Sequence, residues 1–122
     1  MNESPLIGIV GPCGAGKSTL ASNLSRIGYS VRHIAQEHSY VPTMWQRITK
    51  PDVLIYLEVS YENTIIRRSL DWTEGEYQDQ LIRLRHARQH ADYYLDTNCL
   101  SQNEVFRAVH SWLQHRINNP DD

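Results

Sequence analysis

One short segment constrains this chain more than any other: Gly11-Pro12-Cys13-Gly14-Ala15-Gly16-Lys17-Ser18, followed by Thr19. It lies between an apolar run, Leu6-Ile7-Gly8-Ile9-Val10, and a stretch from Lys17 to Ile27 that carries Leu20, Ala21 and Leu24 at helical spacing. Glycine permits the backbone angles that turn successive N–H groups inward around an anion. The amino terminus of the next helix adds free donors and a partial positive charge. Lys17 supplies a full charge for the β- and γ-phosphates, and the Ser18 hydroxyl can ligate Mg²⁺. Strand, loop and helix together predict a site for a nucleoside triphosphate with magnesium, built from Gly11, Pro12, Cys13, Gly14, Ala15, Gly16, Lys17, Ser18 and Thr19. Gly8 lies outside the pattern and reads as a packing position, and Gly28 reads as the stop of the first helix.

The remaining chain alternates strand and helix patterns. Val31 to Ala35 reads as a second strand. Gln36 to Lys50 has no period and reads as a loop, with a short helix from Pro42. Val53 to Val59 is the clearest strand. Ser60 reads as the N-cap of a helix to about Leu70, and Thr73-Glu74-Gly75-Glu76 as a capping box. The capping box opens a helix with Tyr77, Leu81, Leu84 and Ala91 on its buried side, ending near Asp92. Tyr93 to Asp96 reads as a fourth strand. A second capping box, Ser101 to Glu104, opens a last helix that buries Val105, Val109, Trp112 and Leu113. This order predicts a three-layer α/β/α P-loop NTPase fold around a short parallel sheet of about four strands. One domain is expected over 1–117, with a polar tail at 118–122.

Composition narrows the function classes. The chain has 122 residues and a net charge of −2, which argues against a dedicated nucleic-acid site. No apolar run is long enough to span a membrane, and the first residues lack a signal-peptide pattern. Cys13 and Cys99 do not make a disulfide framework, and a cysteine inside the phosphate loop suits a reducing cytoplasm. A short sheet with open edges allows a homodimer.

Three segments resemble the small P-loop kinase-like group of nucleoside, nucleotide and metabolite kinases. They are the loop Gly11 to Thr19, the segment Pro51 to Ser60, and Ala91-Asp92-Tyr93-Tyr94-Leu95-Asp96-Thr97. The resemblance implies ATP and Mg²⁺ as cofactors and a phosphotransferase acting on a small metabolite or nucleotide. An NTPase or nucleotide-sensing module without an acceptor is the alternative. The chain departs from the group in two places. No apolar strand lies between the second and third strands, where an acidic residue usually supports Mg²⁺, and the lid is cut down to about Leu70 to Glu74. There is no Asn-Lys-x-Asp motif for guanine.

Glu37 follows the second strand and so should lie at the carboxyl edge of the sheet, where ligands bind in open α/β folds. The resemblance implies a carboxylate there, contacting an acceptor hydroxyl or supporting the metal beside Ser18; a solvated loop glutamate is the bland reading. Gln36 and His38 are candidate substrate contacts. The resemblance also implies that Arg67 or Arg68 reaches the transferring phosphoryl group, against an exposed helix face. Only one of that adjacent pair should do so, because neighbouring helical residues point about 100° apart. Asp52 precedes the third strand, at the wrong edge for a metal, and reads as a turn residue. Arg83, Arg85, His86, Arg88 and His90 form a basic stripe that reads as a solvated face or a phosphate clamp. Trp45 reads as a base-stacking or pocket residue, or equally as a core plug, and Trp72 as an exposed residue in a lid or an oligomer contact.

Overall fold

In a computed structural model that describes residues 5–118, four strands form one parallel sheet in the order β2-β1-β3-β4. The strands are β1 (Leu6–Val10), β2 (Ser30–His33), β3 (Val53–Glu58) and β4 (Tyr93–Asp96). The helices are α1 (Lys17–Arg26), α2 (Tyr61–Arg68), α3 (Glu74–His90) and α4 (Gln102–Asn118). The expected polar tail falls largely on residues 119–122, outside the described residues.

The two central strands are buried on both faces, so they read as continuous apolar runs. Alternation along β3 divides the core. Val53, Ile55 and Leu57 join Ile7 and Ile9 against Leu20 and Leu24 of α1 and Val105, Val109 and Leu113 of α4. Leu54 and Tyr56 face the other way, with Val10, Ile34, Trp45 and the α3 residues Leu84 and Ala87. Gly8 sits on this second face. A Cβ there would come within 2.7 Å of Ile34 and 3.0 Å of Pro51, so the position is one of close packing.

β1 pairs directly with both β2 and β3, Ile7 lying opposite Val31 on one side and Val53 on the other. Among the described residues no strand lies between β2 and β3 in sequence. The segment 36–50 instead forms a 3₁₀ turn at Gln36–His38 and a π-helical turn at Trp45–Thr49. Gln36 ties this segment together. Its side chain is fully buried, donates to the carbonyls of Val41 (2.9 Å) and Arg83 (3.2 Å), and accepts from the Trp45 amide at 2.9 Å. Gln36 is therefore a strut rather than a substrate contact, and Trp45 is the core plug. Gln36→Leu is expected to cost about 1–3 kcal/mol by orphaning the buried Trp45 amide, read as a lower urea midpoint.

Several expected boundaries shift. β2 spans Ser30–His33 and stops before Ala35, because its edge position exposes Arg32 and His33. α2 ends at Arg68, where Ser69 takes a left-handed conformation (φ 51°) and its amide bonds the Ile65 carbonyl. α3 ends at His90, and its buried stripe is Tyr77, Gln80, Leu84 and Ala87, not Leu81 and Ala91. Both capping boxes form. Trp112 is half-buried, stacked on Tyr93 at the rim of the core, since the helix's buried line runs through Val109 and Leu113.

Candidate functional site

Lys17 opens α1 behind Gly16, which has φ 94° and so takes the left-handed turn that ends the loop. The Lys17 side chain is 5% exposed and folds back over the loop. Its Nζ donates to the carbonyls of Gly11 (2.7 Å) and Pro12 (3.0 Å) and pairs with Glu37 Oε2 at 3.2 Å. Glu37, 3% exposed, is held there by the 3₁₀ turn at the end of β2, and its carbonyl accepts from Arg83 Nη1 at 3.3 Å. Glu37 Oε1 is buried with no hydrogen-bond partner among the described residues. A buried carboxylate oxygen without a partner is costly unless a ligand engages it. The sheet edge thus brings Lys17 and Glu37 together, from the ends of a helix and a strand that are 20 residues apart in the chain by their numbers.

Ser18 Oγ lies 3.2 Å from His33 Nδ1, at the carboxyl end of β2. Burial, with the nearby Lys17 charge, holds the His33 ring below its ordinary value of 6.5. A histidine whose folded value is depressed gives stability that is present above its unfolded value and lost as pH falls through the folded one. Wild type should therefore lose melting temperature below about pH 6.5 more steeply than His33→Gln, measured by thermal melts across pH.

Two clefts flank the loop. The first, about 340 Å³, is lined by Gly14, Ala15, Gly16 and Thr19, by Arg67 and Arg68, and by the segment Leu100 to Gln102 that follows β4. Arg67 is anchored through its two terminal guanidinium nitrogens to the Thr97 hydroxyl and carbonyl. Arg68 lines the same cleft with no hydrogen bond or ion pair among the described residues. The second cleft, about 510 Å³, lies beyond Cys13 and is lined by His38, Leu70, Asp71, Trp72, Glu76, Asp79, Gln80 and Arg83. Part of its wall is Leu70 to Trp72, in the segment that the resemblance reads as a shortened lid. Trp72 is half-buried, not exposed, because Nε1 donates to Thr64 Oγ1 (2.8 Å) and its carbonyl accepts from Tyr61 at 2.6 Å.

Not every loop amide faces inward. Cys13 N donates to Gln80 Oε1 at 3.0 Å, and Ala15 N to the Pro12 carbonyl at 3.2 Å. Asp52 lies at the opposite, amino edge, where Oδ2 accepts from the Leu6 amide at 2.7 Å. Glu58, at the end of β3, has its carboxyl held above the ordinary range by burial. The basic stripe breaks up: Arg88 lies over Tyr94 and Arg83 over Tyr40, while Arg85 is exposed. His86 and His90 stack on one another, and Trp45 Nε1 donates to His86. Sequence reasoning missed Gln80, His33 and Thr97. Gln80 had a readable signal, being a polar residue in the buried stripe three after Tyr77 and four before Leu84.

The donor set suits magnesium. A serine hydroxyl and a carboxylate with a spare buried oxygen are hard oxygen ligands of the kind that ion takes.

The family model described as an AAA domain matches residues 7–108. The chain belongs to that family. A search of the curated proteins finds no match to this member of the AAA-domain family. Among solved structures, shikimate kinase from Acinetobacter baumannii in complex with shikimate is similar in fold, with a TM-score of 0.68 and 15% identity, covering 93% of this chain and 94% of that one. This AAA-domain chain has an α/β fold of the P-loop kinase-like type. Among the described residues no helix is long and apolar enough to cross a membrane.

Proposed function

We propose that this chain binds ATP with Mg²⁺ through Gly11 to Thr19 and transfers the γ-phosphoryl group to a hydroxyl of a small metabolite or nucleotide. One observation carries the reading: a buried lysine–carboxylate pair, with one carboxylate oxygen unengaged among the described residues, packs against a loop whose residues line two separate clefts. The first cleft suits the nucleotide, its base lying against Leu100 to Gln102. The second suits the acceptor. Ser18 and Glu37 would hold the metal, which neutralises phosphate charge when bound. Lys17 binds the β- and γ-oxygens, so nucleotide entry exchanges its contacts to Gly11 and Pro12 for phosphate. Glu37 would orient the acceptor hydroxyl or an attacking water through its spare oxygen. Arg68, with no hydrogen bond or ion pair among the described residues, is better placed than the anchored Arg67 to meet charge developing on the phosphoryl group.

The fold likeness makes a hydroxylated carboxylic acid one acceptor to test, since the similar kinase is described in complex with shikimate. Charge in this chain's second cleft argues for a different class. Asp71, Glu76 and Asp79 set three carboxylates against the single guanidinium of Arg83. An anionic acceptor would meet like charge there, so neutral or cationic polyols, amino sugars and nucleosides are expected to outperform carboxylic acids in kcat/KM. Calorimetry with MgATP should register binding, and ADP release should rise well above basal hydrolysis with one such acceptor. Binding without any acceptor-dependent turnover would favour the alternative, an NTPase or nucleotide sensor. The lack of a strand between β2 and β3 and the short lid support that second reading.

A further inference from the structure

We propose that Cys13, Glu37 and His38 form a binding site for a zinc-type transition-metal ion at the mouth of the phosphate loop. The potential ligand atoms of these three side chains all lie within 4.8 Å of one another. Cys13 Sγ is 3.7 Å from His38 Nε2, which is in turn 3.7 Å from Glu37 Oε2. A tetrahedral zinc with ordinary bond lengths needs its sulfur and nitrogen ligands about 3.6 Å apart, and its nitrogen and oxygen ligands about 3.3 Å apart. The third pair, Cys13 Sγ and the Glu37 carboxylate, lies within 4.8 Å against about 3.5 Å in a tetrahedral zinc site, so closing the site takes a shift of up to about an ångström by the Cys13 side chain.

Independent features point the same way. Glu37 is 3% exposed; the oxygen 3.7 Å from His38 is Oε2, which also pairs with Lys17, while Oε1 has no hydrogen-bond partner among the described residues, so the carboxylate keeps one oxygen for a metal. Gln80, itself buried, is fixed by the Cys13 amide on Oε1 and aims Nε2 at Cys13 Sγ from 3.2 Å. An N–H directed at the sulfur is an outer contact of the sort that orients metal ligands. Cys13 and His38 both line the second cleft, which leaves a fourth position open to water or to a small ligand.

Thiolate and imidazole donors select zinc, cobalt and copper over magnesium, which takes oxygen ligands. This site is thus chemically distinct from a Ser18–Glu37 magnesium site, although the two share Glu37. Binding replaces the S–H bond of Cys13 with a sulfur–metal bond, and the proton leaves to solvent.

Cobalt(II) titration of the reduced full-length protein, followed by near-ultraviolet absorbance, tests the site. A thiolate-to-cobalt charge-transfer band is expected, displaced by zinc(II) and unaffected by excess magnesium chloride. Cys13→Ala should abolish the band. His38→Ala should weaken cobalt binding by at least about tenfold, since losing a ligand costs no less than losing an outer contact. The His38 side chain is 61% exposed, so that variant should keep the fold. Melting shifts of the wild-type protein are measured with MgATP and with cobalt(II) separately, so the nucleotide reading stands or fails on its own. A wild-type protein without the band, a His38→Ala titration equal to wild type, or displacement by magnesium as readily as by zinc would overturn the proposal.

Discussion

Lys17→Met is expected to lower unfolding free energy by about 3–5 kcal/mol and to abolish nucleotide binding, while a second change, Glu37→Gln, restores most of the stability and none of the binding. The ion pair is 3.2 Å long, and both side chains are at least 95% buried by their exposures of 5% and 3%. Removing only the ammonium leaves a carboxylate in a dry site beside the Gly11 and Pro12 carbonyls that the ammonium also served. That penalty belongs to the uncompensated charge, so neutralising Glu37 should relieve it. The total stability of a domain this size is about 5–15 kcal/mol, so the single variant gives up about a fifth of it or more. Urea denaturation of wild type, both single variants and the double variant gives the coupling directly, expected to be at least about 2 kcal/mol. Additive losses would show that the two charges act independently. Saturating MgATP at 100 times its Kd should stabilise wild type by about 2.7 kcal/mol and neither Lys17 variant.

Gly11→Ala should be the most damaging single-methyl change in the chain. Gly11 leaves the end of β1 with φ 153°, and a Cβ there would fall on the Leu57 carbonyl oxygen. Leu57 is fully buried in β3, which is paired on both sides, so that carbonyl cannot move without disturbing the sheet. Backbone strain of about 1–3 kcal/mol adds to this clash. Gly28→Ala is the control. It has a similar positive φ of 108° but nothing within 4 Å of its Cβ, so only the strain applies. Gly11→Ala is expected to melt well below Gly28→Ala, and to lose nucleotide binding that Gly28→Ala keeps. Equal melting temperatures would mean that close approach to Leu57 does not set the glycine requirement.

Much of the frame is local and was therefore legible. The apolar runs of β1 and β3, the two capping boxes and the glycine-lysine loop each carry their own signal within a few residues. They fix which segments become strands and helices, and alternation of the two fixes a parallel sheet. The position of Glu37 followed from the same logic, since a residue just after a strand lands at the sheet's carboxyl edge. Weak local signals went astray: β2 stopped early, and Trp112 lay at the rim because helical phase is set by Val109 and Leu113.

The sequence by itself determined a strand-loop-helix phosphate cradle and a parallel α/β frame around it, because backbone conformation and amphipathic period are properties of neighbouring residues. Only the tertiary structure decided what each polar residue near the cradle does. It made Gln36 a strut, gave Cys13 to Gln80, tied Arg67 to Thr97 and left Glu37 with one oxygen unengaged. These pairings span residues far apart in the chain, and burial and hydrogen-bond partners arise only when the sheet and its two helical layers close together.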